Sequence, residues 1–193
     1  MKLLLIEGPD RCGKNTLIRN LVAQAENTVV RHFGPPRGED DHEKRNFQFH
    51  FFKKEFSLIS FRSQFEMTDK ERYPRDIWIW NRTHLGEFVY GKMYRNTNPE
   101  EWVMQMESLY GLDLDPSVYL LLLTAPPKFL CGKDDGLSFS SNVTDKQSEI
   151  LAFRRAFEES RILNKKILDV ADNEGNYLPA KEILSKVNKF LNF

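Results

Sequence analysis

The chain has 193 residues, of which 40% are hydrophobic and 29% are charged, a balance that favours one globular α/β domain with a continuous core. Its 28 basic residues equal its 28 acidic residues, so no net charge would draw it onto nucleic acid or an acidic membrane. Two cysteines, Cys12 and Cys131, and a start at Met1 unlike a signal peptide favour a reducing, cytoplasmic compartment. The longest apolar run, 118–123, is far shorter than the roughly 20 residues that span a bilayer.

The first predicted elements are a strand, a glycine-rich loop and a helix. Residues 2–7 form a short apolar run that ends in Gly-Pro-Asp, and apolar residues after Lys14 have helical spacing. A second, β-branched strand is predicted at 28–33 and is followed by a loop rich in glycine and proline. Residues 41–67 then have the pattern of a helix unusually rich in phenylalanine.

The rest of the chain continues this alternation. Residues 77–80, Ile-Trp-Ile-Trp, are apolar on both faces, as in a strand buried between two helix layers. The remaining predicted elements are helices at 85–94 and 99–110, a strand at 117–124, a helix at 145–163, a strand at 167–170 and a helix at 179–191. Strands that alternate with helices predict a five-stranded parallel sheet with helices on both faces, in a single domain of residues 1–193.

The loop after the first strand carries a phosphate-binding pattern. Residues 8–16, Gly-Pro-Asp-Arg-Cys-Gly-Lys-Asn-Thr, fit G-x-x-x-x-G-K between a predicted strand and a predicted helix. In such a loop the backbone N–H groups and the helix N-terminus bind phosphate oxygens, and Lys14 reaches the terminal phosphates. A chance glycine turn is the alternative. The residues predicted to bind ATP are Gly8, Arg11, Cys12, Gly13, Lys14, Asn15 and Thr16.

Asn15 departs from this pattern. It stands where a Ser or Thr hydroxyl normally binds the Mg²⁺ that the nucleotide carries. An amide oxygen is also a hard ligand, so the sequence predicts that Asn15 contacts the metal, but more weakly than a hydroxyl would.

Residues 6–14, Ile-Glu-Gly-Pro-Asp-Arg-Cys-Gly-Lys, resemble the E-G-x-D-R-x-G-K loop of thymidylate kinases. Asn81-Arg82, after the third predicted strand, is similar to the Asp-Arg motif of that family, with Asn81 in place of the aspartate. The following helix and the last strand agree in position, so the resemblance covers nearly the whole chain, although only the loop is highly specific. The resemblance implies the P-loop kinase fold, with ATP and Mg²⁺ as cofactors. Compact kinases of this type are common in bacteriophages.

The resemblance implies a role for several residues. Asp10 would accept a hydrogen bond from the sugar 3′-hydroxyl of the acceptor nucleotide, and Arg11 would reach the transferring phosphoryl group. Arg82 would bind the acceptor phosphate, at the end of the sheet where ligands of such folds bind. Lys14, Arg11 and Arg82 are therefore the predicted catalytic residues.

The same resemblance extends to a base site and a lid. Arg62 would be a second arginine at the acceptor phosphate, with a solvated helix face as the alternative, and Asn81 would also face the substrate. Tyr90 would enclose the acceptor base together with position 58, 61 or 65, with core packing as the alternative. Residues 128–146 take the place of the lid that closes over the donor nucleotide. This segment has no arginine, so Arg11 would supply the guanidinium.

The sequence thus predicts a nucleoside monophosphate kinase that transfers the γ-phosphoryl group of ATP to dTMP or a related deoxynucleoside 5′-monophosphate. Because the hydroxyl at position 15 and the carboxylate at position 81 are both replaced by amides, a nucleotide-binding sensor without catalytic activity is one alternative. A kinase of nucleosides or polynucleotide ends is another. A monophosphate substrate and a homodimer are the expected partners, without a nucleic acid or a membrane.

Overall fold

The computed structural model describes residues 2–25, 27–66, 77–136, 138–172 and 174–193, and of residues 56, 58–66 and 101 the backbone only. Within these ranges five strands form one sheet in the order β2-β3-β1-β4-β5, and every neighbouring pair is parallel. The strands are β1 Lys2–Glu7, β2 Thr28–His32, β3 Ile77–Asn81, β4 Val118–Thr124 and β5 Asn164–Asp169. The predicted five-stranded parallel sheet is confirmed.

Helices connect the strands throughout the described part of the chain. They are α1 Lys14–Val22, α2 Asp41–Glu66, α3 His84–Tyr94, α4 Glu100–Leu109, α5 Pro127–Gly132, α6 Val143–Glu159 and α7 Ala180–Leu191. The pattern missed the short helix α5, since the prolines were interpreted only as the end of a strand. Proline is well suited to the first turn of a helix, where its missing N–H costs nothing, and Pro127 lies there.

The boundaries of the last strand and of the helix before it differ from the prediction. β5 begins at Asn164 and not at 167, because it is an edge strand whose first residues, Asn-Lys-Lys, remain partly exposed. The helix before it, α6, begins at Val143, where the Asn142 side chain accepts a hydrogen bond of 2.8 Å from the Asp145 backbone N–H. It ends at Glu159, as Ser160 is extended.

Two apolar cores cover the two faces of the sheet. Side chains alternate along a strand, so Leu3 and Leu5 pack in one core while Leu4 and Ile6 pack in the other. The first core is completed by α2, α3, α4 and α6, and the second by α1, α5, α6 and α7. Helices therefore lie on both faces, as predicted. None of the helices described here is both long and apolar enough to cross a membrane.

Candidate active site

A cavity of about 1040 Å³ opens where β1, β2 and β3 end. Its wall combines the phosphate loop, the segment after β2, one side of α2, the start of α3 and the loop after α5. The predicted site residues that line it are Asp10, Arg11, Gly13, Lys14, Asn15, Thr16, Asn81, Arg82 and Tyr90. Residues that are distant in the sequence thus meet at one edge of the sheet, because parallel strands all end on the same side.

The phosphate loop closes around the ammonium group of Lys14. Its Nζ donates hydrogen bonds of 2.7 Å to the Gly8 and Pro9 carbonyl oxygens, and the side chain is only 7% exposed. Gly8 has a φ of 137°, and a Cβ there would collide with the Leu123 carbonyl oxygen. Gly13, with a φ of 80°, begins α1. The loop conformation therefore requires both glycines.

Two predicted ATP contacts within the phosphate loop, Gly8 and Cys12, are not among the residues that line the cavity. Cys12 is fully buried in the core that contains α1, and burial raises the pKa of its thiol. It acts as a small packing residue. Arg11, by contrast, lines the cavity with a φ of 66°, and its guanidinium forms an ion pair with Asp135. The backbone oxygen of Arg11 accepts a hydrogen bond from the Tyr177 hydroxyl.

The two amides that depart from the kinase pattern contact each other. The Asn81 Nδ2 donates to the Asn15 Oδ1 at 3.0 Å and lies 2.8 Å from the His32 Nδ1. The Asn81 Oδ1 is buried and has no hydrogen-bond partner among the residues described. Thr16 is exposed at the rim, where its hydroxyl accepts from Arg19 at 3.4 Å. The sequence could not show that Asn15 and Asn81 form a pair.

Amide oxygens are hard ligands, so the chemistry of Asn15 and Asn81 suits a magnesium ion that arrives with a nucleotide, although Asn81 here turns its NH₂ group toward the Asn15 oxygen. Such an ion keeps several waters and takes much of its negative charge from phosphates, so it does not need a protein carboxylate cage. The unpartnered Asn81 Oδ1 and the Asn15 Oδ1 are the oxygen type that Mg²⁺ prefers. In the described ranges, no cluster of three or more Asp, Glu, His or Cys side chains could hold a metal ion independently of a nucleotide.

Arg82 and Asp10 lie side by side in the wall of the cavity. Their side chains form an ion pair, and the Arg82 guanidinium lies 5.4 Å from the centre of the Tyr90 ring. Arg82 has a φ of 62°, a backbone conformation that few non-glycine residues adopt. Its N–H donates to the Ile6 carbonyl oxygen at 3.0 Å, which holds this turn against β1.

Glu7, at the end of β1, fixes the start of α3. Its Oε1 accepts hydrogen bonds from the Thr83 N–H at 2.6 Å, the Thr83 hydroxyl at 2.5 Å and the Gly86 N–H at 3.3 Å. Burial raises the pKa of Glu7, although these bonds and the nearby Lys14 oppose the rise. In the sequence Glu7 belongs to the loop motif, and no local pattern indicates its contact with α3. Its role is to set the position of Arg82 relative to the phosphate loop.

Tyr90 lies between the cavity and a buried polar group. Its ring is 2% exposed, and its hydroxyl donates to the Glu149 Oε1 at 2.7 Å. Burial, followed by the charge of Glu149, raises the pKa of Tyr90 well above 10.0. Glu149 also accepts from the Ser140 hydroxyl at 2.5 Å and from the Lys146 Nζ at 3.3 Å. Lys146, within the predicted lid, is fully buried in this pair and does not line the cavity.

The predicted lid segment, 128–146, contacts both sides of the cavity. It comprises most of α5, the loop that follows and the start of α6. Asp135 pairs with Arg11, and Ser138 and Phe139 line the cavity. Phe139 is 55% exposed and stacks on Tyr94 with the ring centres 5.0 Å apart. The lid prediction includes Asp135, Ser138 and Phe139 but gives none of them an individual role, because a polar loop has no periodic pattern.

The side of the cavity between α2 and α3 is polar. None of its residues is named as a site residue in the sequence analysis. Gln48 from α2, Glu87 from α3 and Arg95 after α3 line it together. Burial raises the pKa of Glu87, while its ion pair with Arg95 opposes that rise. Arg62, which the sequence assigns to the acceptor phosphate, belongs to α2, but its side chain and those at 58, 61 and 65 lie outside the described residues.

Two solved structures are similar to this chain over nearly their whole length. The YorR protein of Bacillus subtilis, in complex with phosphorylated GDP, has a TM-score of 0.68 and 15% sequence identity, covering 99% of this chain and 96% of its own. Thymidylate kinase from Candida albicans has a TM-score of 0.60 and 14% identity, covering 99% and 91%. No protein-family model matches the chain, and no curated protein matches it by sequence. The chain has an α/β P-loop kinase fold similar to that of thymidylate kinase, which confirms the predicted fold class.

Proposed function

We propose that the protein is an ATP-dependent nucleoside monophosphate kinase that acts on dTMP or a related deoxynucleoside 5′-monophosphate. The observation that carries this proposal is the convergence of Lys14, Arg11, Asp10 and Arg82 in the wall of one cavity. Its volume, about 1040 Å³, is at the upper end of the about 300–1,000 Å³ of most ligand sites, as two adjacent nucleotides require. The similar chains support it too: YorR was solved with a nucleotide, and the Candida protein is a thymidylate kinase.

In the proposed reaction, an oxygen of the acceptor phosphate attacks the γ-phosphorus of ATP, and ADP leaves. Such a transfer depends on alignment of the two phosphates and on neutralisation of their charge. Lys14, which binds the Gly8 and Pro9 carbonyls, would turn to the β- and γ-phosphates. Arg11 would stabilise the transferring group, and Arg82 would hold the acceptor phosphate. When bound, Mg²⁺ supplies additional neutralisation, with Asn15 and Asn81 as the residues that would hold it.

Asp10 and the lid segment have supporting roles in this proposal. Asp10 pairs with Arg82, so it orients that guanidinium and offers its second oxygen to the sugar hydroxyl of the acceptor. Residues 128–146 would close over the donor nucleotide and exclude water, which would otherwise hydrolyse ATP. The contact of Asp135 with Arg11 places this segment beside the phosphate loop.

A nucleotide sensor without activity is the second candidate, and the neutral pair of Asn15 and Asn81 favours it. Most kinases of this fold class place a hydroxyl at the first position, and a carboxylate at the second would add a negative charge near the metal. A sensor would keep the cavity and bind ATP but would not form ADP.

A coupled assay of ADP formation tests the proposal, with each deoxynucleoside 5′-monophosphate and with thymidine as acceptors. We expect Mg²⁺-dependent turnover with at least one monophosphate and loss of at least about a hundredfold in Lys14→Ala, since a charge-stabilising contact in the transition state is removed. Lys181→Ala, an exposed lysine in α7, is the matched control and should retain the parent rate.

Three outcomes of this assay contradict the proposal. ATP binding without turnover of any acceptor supports the sensor. Faster turnover of thymidine than of every monophosphate supports a nucleoside kinase. Parent-level turnover in Lys14→Ala would place the reaction elsewhere. The proposal includes a cytoplasmic location, which the cysteine content favours, and a homodimer, which the resemblance implies. Sedimentation equilibrium tests the dimer.

A further inference from the structure

Three polar side chains form a fixed group on the α2–α3 side of the cavity. The Glu87 carboxylate is 3% exposed and forms an ion pair with Arg95. The Gln48 Nε2 donates to the Glu87 Oε2 at 3.4 Å, and Gln48 is 8% exposed. All three residues line the cavity, so this part of its wall contains a donor (Arg95), a carboxylate (Glu87) and an amide (Gln48) in contact with one another.

The backbone holds Glu87 in this position. A Cβ at Gly91 would lie 2.6 Å from the Glu87 Oε1 and 2.6 Å from the Thr97 Oγ1, so only glycine leaves room for the carboxylate. The Thr97 hydroxyl also donates to the Glu87 Oε1 at 3.5 Å. With Thr97 on one side and Arg95 on the other, the acceptor oxygens of Glu87 are held in one orientation.

The orientation of the Gln48 amide follows from that carboxylate. Its NH₂ group faces Glu87, since the opposite orientation would place two oxygens against each other. The Gln48 Oε1 therefore points away from Glu87. It is buried and has no hydrogen-bond partner in the described part of the structure. A buried acceptor without a partner costs free energy, which a donor on a ligand would recover.

This side of the cavity thus has one hydrogen-bond donor, the Arg95 guanidinium, and two acceptors, the Glu87 carboxylate and the Gln48 Oε1, of which the second lacks a partner. Guanine presents the complementary edge: the O6 oxygen accepts, and N1–H and the 2-amino group donate. Thymine presents one N–H between two carbonyl oxygens, so one of its oxygens would face Glu87 or Gln48. Adenine and cytosine each have a single donor group on this edge.

Phe47, Phe51 and Phe52 line the cavity beside Gln48 and can cover the face of a base.

We propose that Arg95, Glu87 and Gln48 select guanine as the acceptor base, so that dGMP is the preferred acceptor. This rests on the proposed function, because it makes the α2–α3 side of the cavity the acceptor site. Arg95 donates to the O6 oxygen, Glu87 accepts from N1–H, and the Gln48 Oε1 accepts from the 2-amino group. The resemblance to thymidylate kinases favours thymine as the acceptor base. The order of hydrogen-bond donors and acceptors on this wall favours guanine instead.

The test measures binding and turnover for dGMP, dTMP and dIMP, the last of which differs from dGMP only by lacking the 2-amino group. We expect the protein to bind dGMP at least about tenfold more tightly than either, the usual effect of one good hydrogen bond to a base. Gln48→Leu should remove the advantage of dGMP over dIMP and leave the affinity for dIMP within about threefold. His50→Leu, an exposed position on the same helix, is the matched control and should keep the full advantage.

Tighter binding of dTMP than of dGMP would overturn the inference, as would an unchanged ratio of dGMP to dIMP affinity in Gln48→Leu. If Gln48→Leu does not fold, Gln48→Met is measured in its place, because methionine keeps the length of the side chain. Binding by calorimetry separates the two proposals. Selective binding of dGMP without ADP formation rejects the kinase and retains the guanine site, whereas turnover that is fastest with dTMP retains the kinase and rejects the guanine site.

Discussion

Asn15 and Asn81 form one unit at the end of the sheet, because the Asn81 amide donates to the Asn15 side-chain oxygen. Replacement of either residue alone would leave the other without its partner. Replacement of both by the usual Ser and Asp would restore a hydroxyl and a carboxylate together. The two departures from the kinase pattern should therefore be tested as a pair.

We predict that Asn15→Ser combined with Asn81→Asp raises turnover with Mg²⁺ by about tenfold, more than the product of the single effects. The added carboxylate provides a charged partner for the metal, and the shorter hydroxyl restores the usual geometry. The parent should gain more from Mn²⁺ than the double variant does, since Mg²⁺ demands near-ideal octahedral geometry. Steady-state rates with both metals, and Mn²⁺ affinity of the ATP complex by electron paramagnetic resonance, measure this.

Independent effects of the two substitutions would contradict the idea of a pair. A parent that is already fast with Mg²⁺ and slowed by Asn15→Ser would show that the amide is an adapted ligand. The metal affinity is informative even if no variant turns over, because it does not depend on catalysis.

Helix α3 lines one side of the cavity with Gly86, Glu87 and Tyr90, and buried polar contacts hold the helix at its start. Glu7 binds the turn before it, and the His84 Nε2 lies 2.8 Å from the Glu107 Oε1 in α4. Glu107 also accepts from the Arg161 N–H at 2.6 Å, at the connection between α6 and β5. Glu107 thus joins α3, α4 and the approach to the edge strand.

We predict that Glu107→Gln destabilises the protein at pH 7 by about 1–3 kcal/mol, and that the loss shrinks below pH 4.5. Burial favours the neutral acid, but hydrogen bonds from His84, Ser160 and Arg161 outweigh it and hold the pKa of Glu107 below its ordinary value of 4.5. With a lowered folded pKa, the stabilisation is present above pH 4.5 and is lost as the pH falls through the folded pKa.

Urea unfolding of the parent and the variant at pH 7 and at pH 4 measures this difference. Glu158→Gln, an exposed acid in α6, is the control and should change little at either pH. A loss that is equal at both pH values would mean that Glu107 acts through packing and not through its charge.

The loop after α5 is linked to the phosphate loop by the ion pair of Asp135 with Arg11. If Arg11 must turn to the transferring phosphoryl group, Asp135 competes with ATP for it. We predict that Asp135→Asn lowers the KM for ATP by about twofold to fivefold, since an exposed ion pair is worth about 0.2–1 kcal/mol. The effect should weaken as salt increases. Kinetics at two salt concentrations measure it.

Asp134→Asn is the matched control for this prediction. Its carboxylate accepts from the Gly136 N–H at 3.1 Å and belongs to the turn, so the KM for ATP should stay near the parent value. An increase of KM in Asp135→Asn would contradict the competition and would indicate that Asp135 orients Arg11 productively.

Across the whole molecule, the cavity connects parts of both core layers, so ligand binding should stabilise the entire fold. The phosphate loop precedes α1, which packs in one core, whereas α2 and α3 pack in the other. We predict that ATP and the monophosphate each raise the melting temperature, by the equivalent of about 2.7 kcal/mol at a hundred times their dissociation constants. Thermal unfolding with each ligand alone and with both measures the two increments.

Lys14→Ala provides the internal comparison for these increments. It should lose the increment from ATP and keep most of the increment from the monophosphate, because the proposed function assigns Lys14 to the ATP phosphates and Arg82 to the acceptor phosphate. Loss of both increments would mean that the two nucleotides do not occupy separate sites.

Local pattern predicted much of this protein. The strand at 2–7, the phosphate loop at 8–16 and the helix after it depend on neighbouring residues, whose alternation, glycines and lysine are read directly from the sequence. The same holds for β3 and β4, whose apolar runs are long enough to identify buried strands. The predictions differed where local signals were weak, at the short helix α5 and at the partly polar edge strand β5.

Only the tertiary structure determined which of these residues meet. Asn15 and Asn81 lie 66 positions apart, Asp10 and Arg82 lie 72 apart, and both pairs form because β1 and β3 are neighbours in the sheet. Gln48 and Glu87 meet because α2 and α3 pack on the same face. The sequence determined the elements and the phosphate loop, since those depend on short-range conformational preferences. The strand order and the polar wall of the cavity depend on long-range packing, which no local pattern contains.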